Sequence, residues 1–304
     1  MREDALLIPV RGVDQIGILH RPAPDKARRT GIVIVVGGGP QYRVGGHRQL
    51  TLWARALAAA GYPVLRFDYR GMGDTAGAFS GFESVDDDLR AAVDRLSAEA
   101  PGLDRVVMWG ECDAVSAILL YAGRDPRVKG TVLLNPWVRT EALQAQAVLK
   151  HYYWKRLTER SFWQKVLSGG FDLKASLGSA LALVRRSRQA QKAATPATPS
   201  EQGLGPIPRN QPLPQSMLQG LQRFQGQVML VMSGRDLIAR EFDVVLSQSA
   251  AWREALTARH TVRHDLPEGD HTFSSAVLRN RVLAWGLAWL NSTEPGTEPN
   301  NDPA

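Results

Sequence analysis

Residues 31–36, Gly31-Ile32-Val33-Ile34-Val35-Val36, form an unbroken apolar run dominated by β-branched side chains. A half-exposed strand would alternate apolar and polar positions. This run does not, so it suits a strand buried on both faces, as in a parallel sheet covered by helices above and below. It stops at Gly37-Gly38-Gly39-Pro40. Further strand-like runs recur at 63–67, 105–109, 130–134, 227–232 and 261–266. Stretches with helical spacing stand between them at 46–60, 82–98, 113–121, 241–256 and 274–290. Ahead of the first run, 5–10 and 15–20 read as two short strands joined by a turn around 11–14, an antiparallel hairpin. The alternation predicts an α/β fold with a mostly parallel, doubly wound sheet.

The rhythm breaks between Trp137 and Gln215. Helical patches at about 139–156, 159–167 and 172–188 suggest an inserted helical cap over 137–188. Residues 189–214, rich in Ala, Pro, Gln and Thr, read as a flexible linker, and the polar, proline-containing 291–304 as a disordered tail. The core is then 1–136 and 225–290, without internal repeats.

A net charge of +7 raises the question of an anionic partner. Twelve Lys and Arg against four acids in 137–214 carry the whole excess. No nucleic-acid motif accompanies it, so a basic surface for an anionic ligand, lipid headgroup or protein partner explains it as well. The first fifteen residues hold no apolar stretch of signal-peptide length, and no run reaches the roughly 20 residues a membrane span needs. A single cysteine excludes an internal disulfide. The expectation is a soluble, cytoplasmic protein.

That cysteine stands in Gly110-Glu111-Cys112-Asp113-Ala114, directly after the run 105–109 and before a helical stretch of small residues. Strand, sharp turn and helix around a nucleophile form a nucleophile elbow, usually G-x-S-x-G and here G-x-C-x-A. A nucleophile needs a base, and the base needs an acid to orient it. Cys112, Asp236 and His271 follow in the order nucleophile, acid, histidine, each just past an apolar run and so at the carboxyl edge of the sheet. The oxyanion donors would be the backbone N–H of Asp113 and that of Gly38 or Gly39.

Plainer readings exist for each element. A lone cysteine is commonly a small buried hydrophobe. Three glycines after a strand can cradle phosphate, although neither nucleotide-binding spacing is present. Asp236 can serve only as a helix cap and His271 only as a loop residue. An aspartyl nucleophile at Asp113 would set Gly110 three positions ahead instead of two. The order and spacing of the whole set favour Cys112.

The chain resembles α/β-hydrolases throughout 1–136 and 225–290, including Asp68–Thr75, which is similar to the D-x-R-G-x-G-x-S loop. More narrowly, the stretches 110–114 (GECDA), 233–242 (SGRDLIAREF) and 269–274 (GDHTFS) resemble the exosortase A system-associated hydrolase 1 family. That family is similar to the serine-aminopeptidase-like and dienelactone-hydrolase-like branches, and is encoded beside bacterial exopolysaccharide and PEP-CTERM sorting genes. The resemblance implies a hydrolase fold with cysteine at the elbow and no metal or organic cofactor, and it implies no particular substrate.

Cysteine elbows suit activated acyl groups such as esters, thioesters and lactones. Glu111 and Asp113 flank the thiol and would oppose its ionisation if their carboxylates face it. The aromatic stretch at 151–156 in the basic segment would either wall the pocket, admitting an acyl chain or sugar beside an anionic group, or pack a cap helix on the core. The expectation is an acyl hydrolase. Acyl transfer to another acceptor and a catalytically idle scaffold for envelope-polymer assembly are the alternatives.

Overall fold

The computed structural model describes residues 1–39, 41–138 and 206–294. Eight strands form one sheet: β1 (Arg2–Val10), β2 (Val13–Arg21), β3 (Thr30–Val35), β4 (Val64–Phe67), β5 (Arg105–Glu111), β6 (Val128–Leu134), β7 (Gln227–Ser233) and β8 (Val262–Leu266). Their order is β1-β2-β4-β3-β5-β6-β7-β8, antiparallel in the β1–β2 and β2–β4 pairs and parallel elsewhere. This is the α/β-hydrolase sheet with the antiparallel hairpin at one edge. All residues of β3, β4 and β5 are buried, as runs without alternation require.

The helices are α1 (Gln49–Ala59), α2 (Asp86–Glu99), α3 (Asp113–Ala122), α4 (Leu213–Arg223), α5 (Leu237–Gln248), α6 (Ala250–Ala258) and α7 (Ala276–Thr293). One packed set joins α1 to α7, and another joins α2, α3, α4, α6 and α5 in turn. Trp53 on α1 packs tilted against Trp109 of β5, ring centroids 5.6 Å apart, and lies 6.4 Å from Phe273, while its indole N–H donates to the Arg279 carbonyl at 3.0 Å. Three fully buried aromatics thereby anchor the elbow strand, α1 and the loop that carries His271 to one another.

Three boundaries differ from the sequence reading. The single helix expected over 241–256 is two, because Ser249 turns extended and its hydroxyl caps Trp252 N–H at 3.3 Å, starting α6. The end of the stretch read as a linker, 206–214, is packed: Ile207 is buried, Arg209 pairs with Asp86, and α4 begins at Leu213. The signal for α4 was Pro212 ahead of Leu213, Met217 and Leu221 at helical spacing. Helix α7 continues to Thr293, into the stretch read as a tail. The rest of the cap, linker and tail assignments, including the basic and aromatic segments, lies outside the described residues apart from Trp137 and the buried Val138. Among the described residues, no helix is long and apolar enough to cross a membrane.

Candidate active site

Strand β5 ends at Glu111 and α3 begins at Asp113, which leaves Cys112 alone at the turn with φ 60 and ψ −126. A residue with a Cβ pays about 1–3 kcal/mol for such backbone, and the surroundings must hold it there. They do: Cys112 N–H donates to Leu134 O at 2.9 Å, and Cys112 O accepts from Val115 and Trp137 at 3.1 and 3.2 Å. Two positions earlier, a Cβ on Gly110 would stand 2.6 Å from Ile118 and 3.0 Å from the Ala114 methyl. The bare Gly110 therefore makes room for Ala114, which is why alanine fits where the usual elbow has a second glycine.

The structure brings the three expected residues together. Asp236 caps α5, accepting from Ile238 and Ala239 N–H at 3.0 and 3.3 Å, and the same carboxylate holds His271 Nδ1 at 2.8 Å. The helix cap and the bond to His271 are thus made by one side chain. With Nδ1 engaged, Nε2 is the nitrogen left to serve the Cys112 thiol, and both residues line the same cleft. Burial pushes the Cys112 thiol up against the pull of His271, and the Asp113 charge adds to the rise. Burial works against the His271 cation, yet hydrogen bonds to Asp236 and Cys112 carry its pKa above the usual value.

The flanking acids behave differently from each other. Glu111 is enclosed, and burial raises its carboxyl to about 8 against the opposing effects of His271 and the Gln49 amide, which donates to it. It is neutral at pH 7 and does not oppose a thiolate. Asp113 is also shifted upward by burial, while the N–H groups of Gly38 and Gly39 pull it down. Gly38 N–H donates to Asp113 Oδ1 at 2.6 Å. The donor expected to face a substrate oxyanion is thus already engaged by a side chain of the elbow.

Several positioning residues carried no catalytic signal in the sequence. Asn135, at the end of β6, donates to Ser233 Oγ at 3.0 Å and to the His271 carbonyl at 2.9 Å, and accepts from Ser233 N–H at 2.8 Å. Ser233 in turn donates to Asp270 O at 2.9 Å. The ends of β6 and β7 are thereby tied to the histidine loop. Asp68 takes the Arg43 N–H at 2.5 Å and its guanidinium, and Thr75 donates to Asp68 O at 2.8 Å. The Asp68–Thr75 loop is accordingly a brace for the loop after β3. A cleft opens over Cys112, lined by Gly38, Gln41, Gln49, Glu111, His271 and Thr272 among others. Among the described residues, no cluster of three His, Cys, Asp or Glu is placed to hold a metal ion.

Comparison with known proteins agrees with this architecture. An esterase of Pyrococcus furiosus has the same fold at a TM-score of 0.60 and 14% identity, over 96% of this chain and 91% of the esterase. A thermostable carboxyl esterase of Bacillus coagulans, solved with glycerol, gives 0.60 at 15% identity over 96% and 98%. A serine hydrolase without lid from Xanthomonas campestris gives 0.55 at 16% over 97% and 98%. In sequence, 129 residues are 32% identical to the quorum-quenching protein AidA of Acinetobacter baumannii, covering 39% of each protein. Residues 29–196, more than half of the chain, match the serine aminopeptidase S33 family. The chain therefore belongs to that family of α/β-hydrolases, with a cysteine at the elbow where its members usually carry serine.

Proposed function

We propose that the chain is a hydrolase of ester, thioester or lactone bonds that works through Cys112, His271 and Asp236. The observation that carries this reading is their placement: a strained elbow presents the thiol at a cleft that His271 also lines, and a buried carboxylate holds that histidine. The Cys112 Sγ attacks the carbonyl carbon while its proton passes to His271, and the carbonyl π pair moves onto oxygen. Collapse restores the carbonyl and expels the leaving group, which takes the proton from His271. Water, giving a proton to the same imidazole, then attacks the thioester, and the Cys112 thiol leaves with that proton. Asp236 holds the imidazole tautomer and its charge throughout.

The general hydrolase activity rests on family membership, and the cysteine mechanism rests on geometry. The motifs at 110–114, 233–242 and 269–274 further support a place beside exopolysaccharide and exosortase systems. One observation favours the rival reading of an idle binding protein, the engagement of Gly38 N–H by Asp113. Turnover of a panel of p-nitrophenyl esters, aryl thioesters and small lactones decides between them. Hydrolysis that disappears in Cys112→Ala and His271→Ala supports the enzyme. Acylation that releases no acid until an alcohol or amine is added identifies an acyltransferase. Loss-free turnover in Cys112→Ala overturns the mechanism.

A further inference from the structure

The nucleophile elbow carries its own hydrogen-bond acceptor. Asp113 Oδ1 lies 2.6 Å from the Gly38 nitrogen, and the N–H groups of Gly39, Ala114 and Asp113 itself also act on the carboxylate. Gly38 and Gly39 take φ +91 and +74, left-handed backbone that glycine adopts without strain. A Cβ on Gly37 would sit 2.5 Å from Asp113 Oδ1, so the loop is shaped around that oxygen. Asp113 is buried, and the N–H of Gly38 or Gly39 with that of Asp113 are those the fold offers to a developing oxyanion.

Resting on the cysteine hydrolase reading, we propose that Asp113 is a positioning residue whose carboxylate fills the oxyanion site and must leave it before an acyl carbonyl can bind. The carboxylate and the carbonyl oxygen of the substrate compete for Gly38 N–H. Asp113 then sets substrate choice: acyl groups whose carbonyl oxygen competes well for Gly38 N–H displace the side chain and react, and the others react slowly. The carboxylate is an intramolecular competitor, and its removal raises activity.

Two reactions of Cys112 separate this role from a simple effect on the thiol. Acetylation by p-nitrophenyl acetate forms an oxyanion, whereas alkylation by iodoacetamide displaces iodide and forms none. Both rates are measured on the wild type, Asp113→Ala and Asp113→Asn, with Cys112→Ala as the site control. The expected result is a rise of about tenfold or more in the acetylation-to-alkylation rate ratio in Asp113→Ala. Asp113→Asn keeps an acceptor oxygen for Gly38 but loses the charge, and its ratio falls between wild type and alanine. An unchanged ratio in both variants, with both rates moving together, means Asp113 acts only through the field at the thiol and overturns the proposal. Absence of acetylation in wild type and both variants overturns it too. Reaction that persists in Cys112→Ala instead sinks the nucleophile assignment itself.

Discussion

Glu111 offers a test of the site's electrostatics that does not depend on any substrate. Its carboxyl is enclosed beside Gln49, and burial raises it from 4.5 to about 8. Its folded pKa lies above its unfolded one, so between those two values the unfolded chain has lost a proton that the native chain keeps. Stability therefore falls as pH rises through that window, by about 1.4 kcal/mol per pH unit. From pH 4.5 to 7 the loss is roughly 3 kcal/mol, and above about 8 the dependence from this group ends. Glu111→Gln removes the titration and keeps an amide of the same shape in contact with Gln49. Its advantage over wild type should be near zero at pH 5 and grow to about 2–3 kcal/mol at pH 7.5. Urea unfolding of both proteins at half-unit intervals from pH 5 to 8 reads the difference directly. A difference that does not change with pH would refute the claim that Glu111 is neutral in the native state.

Other outcomes follow from the same geometry. Asn135→Ala strips the Ser233 N–H, buried at the strand end, and the His271 carbonyl of a partner. It should cost about 2–3 kcal/mol in denaturation and lower kcat at least tenfold. Asp236→Asn preserves the cap on α5 and should leave urea stability within about 1 kcal/mol, while cutting kcat/KM by about a hundredfold or more. If Asp236→Asn keeps full activity while Asp236→Ala loses stability, Asp236 is only a cap. The pH profile carries a third expectation. Cys112 and His271 are both shifted upward, so at neutral pH the pair holds one proton more than attack requires. The rate of acetylation should climb on raising pH from 6 to 9, and a flat profile across that range contradicts the assignment.

The sheet was legible because β3 and β5 are buried on both faces, and such strands betray themselves as runs without polar alternation. The order Cys112, Asp236, His271 was legible for a related reason. Each residue follows the end of a strand, and parallel strands gather their carboxyl ends at one edge. What escaped reading was set by contacts distant in sequence. Asn135 shows no pattern of its own, and its role appears only when β6, β7 and the 270–271 loop lie side by side. The different surroundings of Glu111 and Asp113 were equally hidden. Both flank Cys112, yet one is enclosed beside Gln49 and the other faces the Gly38 backbone. Helix α4 was missed because proline and glutamine around it mimic the composition of a linker, while Gly220 lets its backbone approach α3 at Leu119.

The central claim is that Cys112 becomes acylated. Brief exposure to p-nitrophenyl acetate, acid quenching and peptide mapping by tandem mass spectrometry locates the acetyl group at residue level. A single acetyl is expected on Cys112, absent in Cys112→Ala and formed more slowly in Asp236→Asn. A protein that hydrolyses the ester with Cys112 unmodified at every quench time, and equally well as Cys112→Ala, would contradict it.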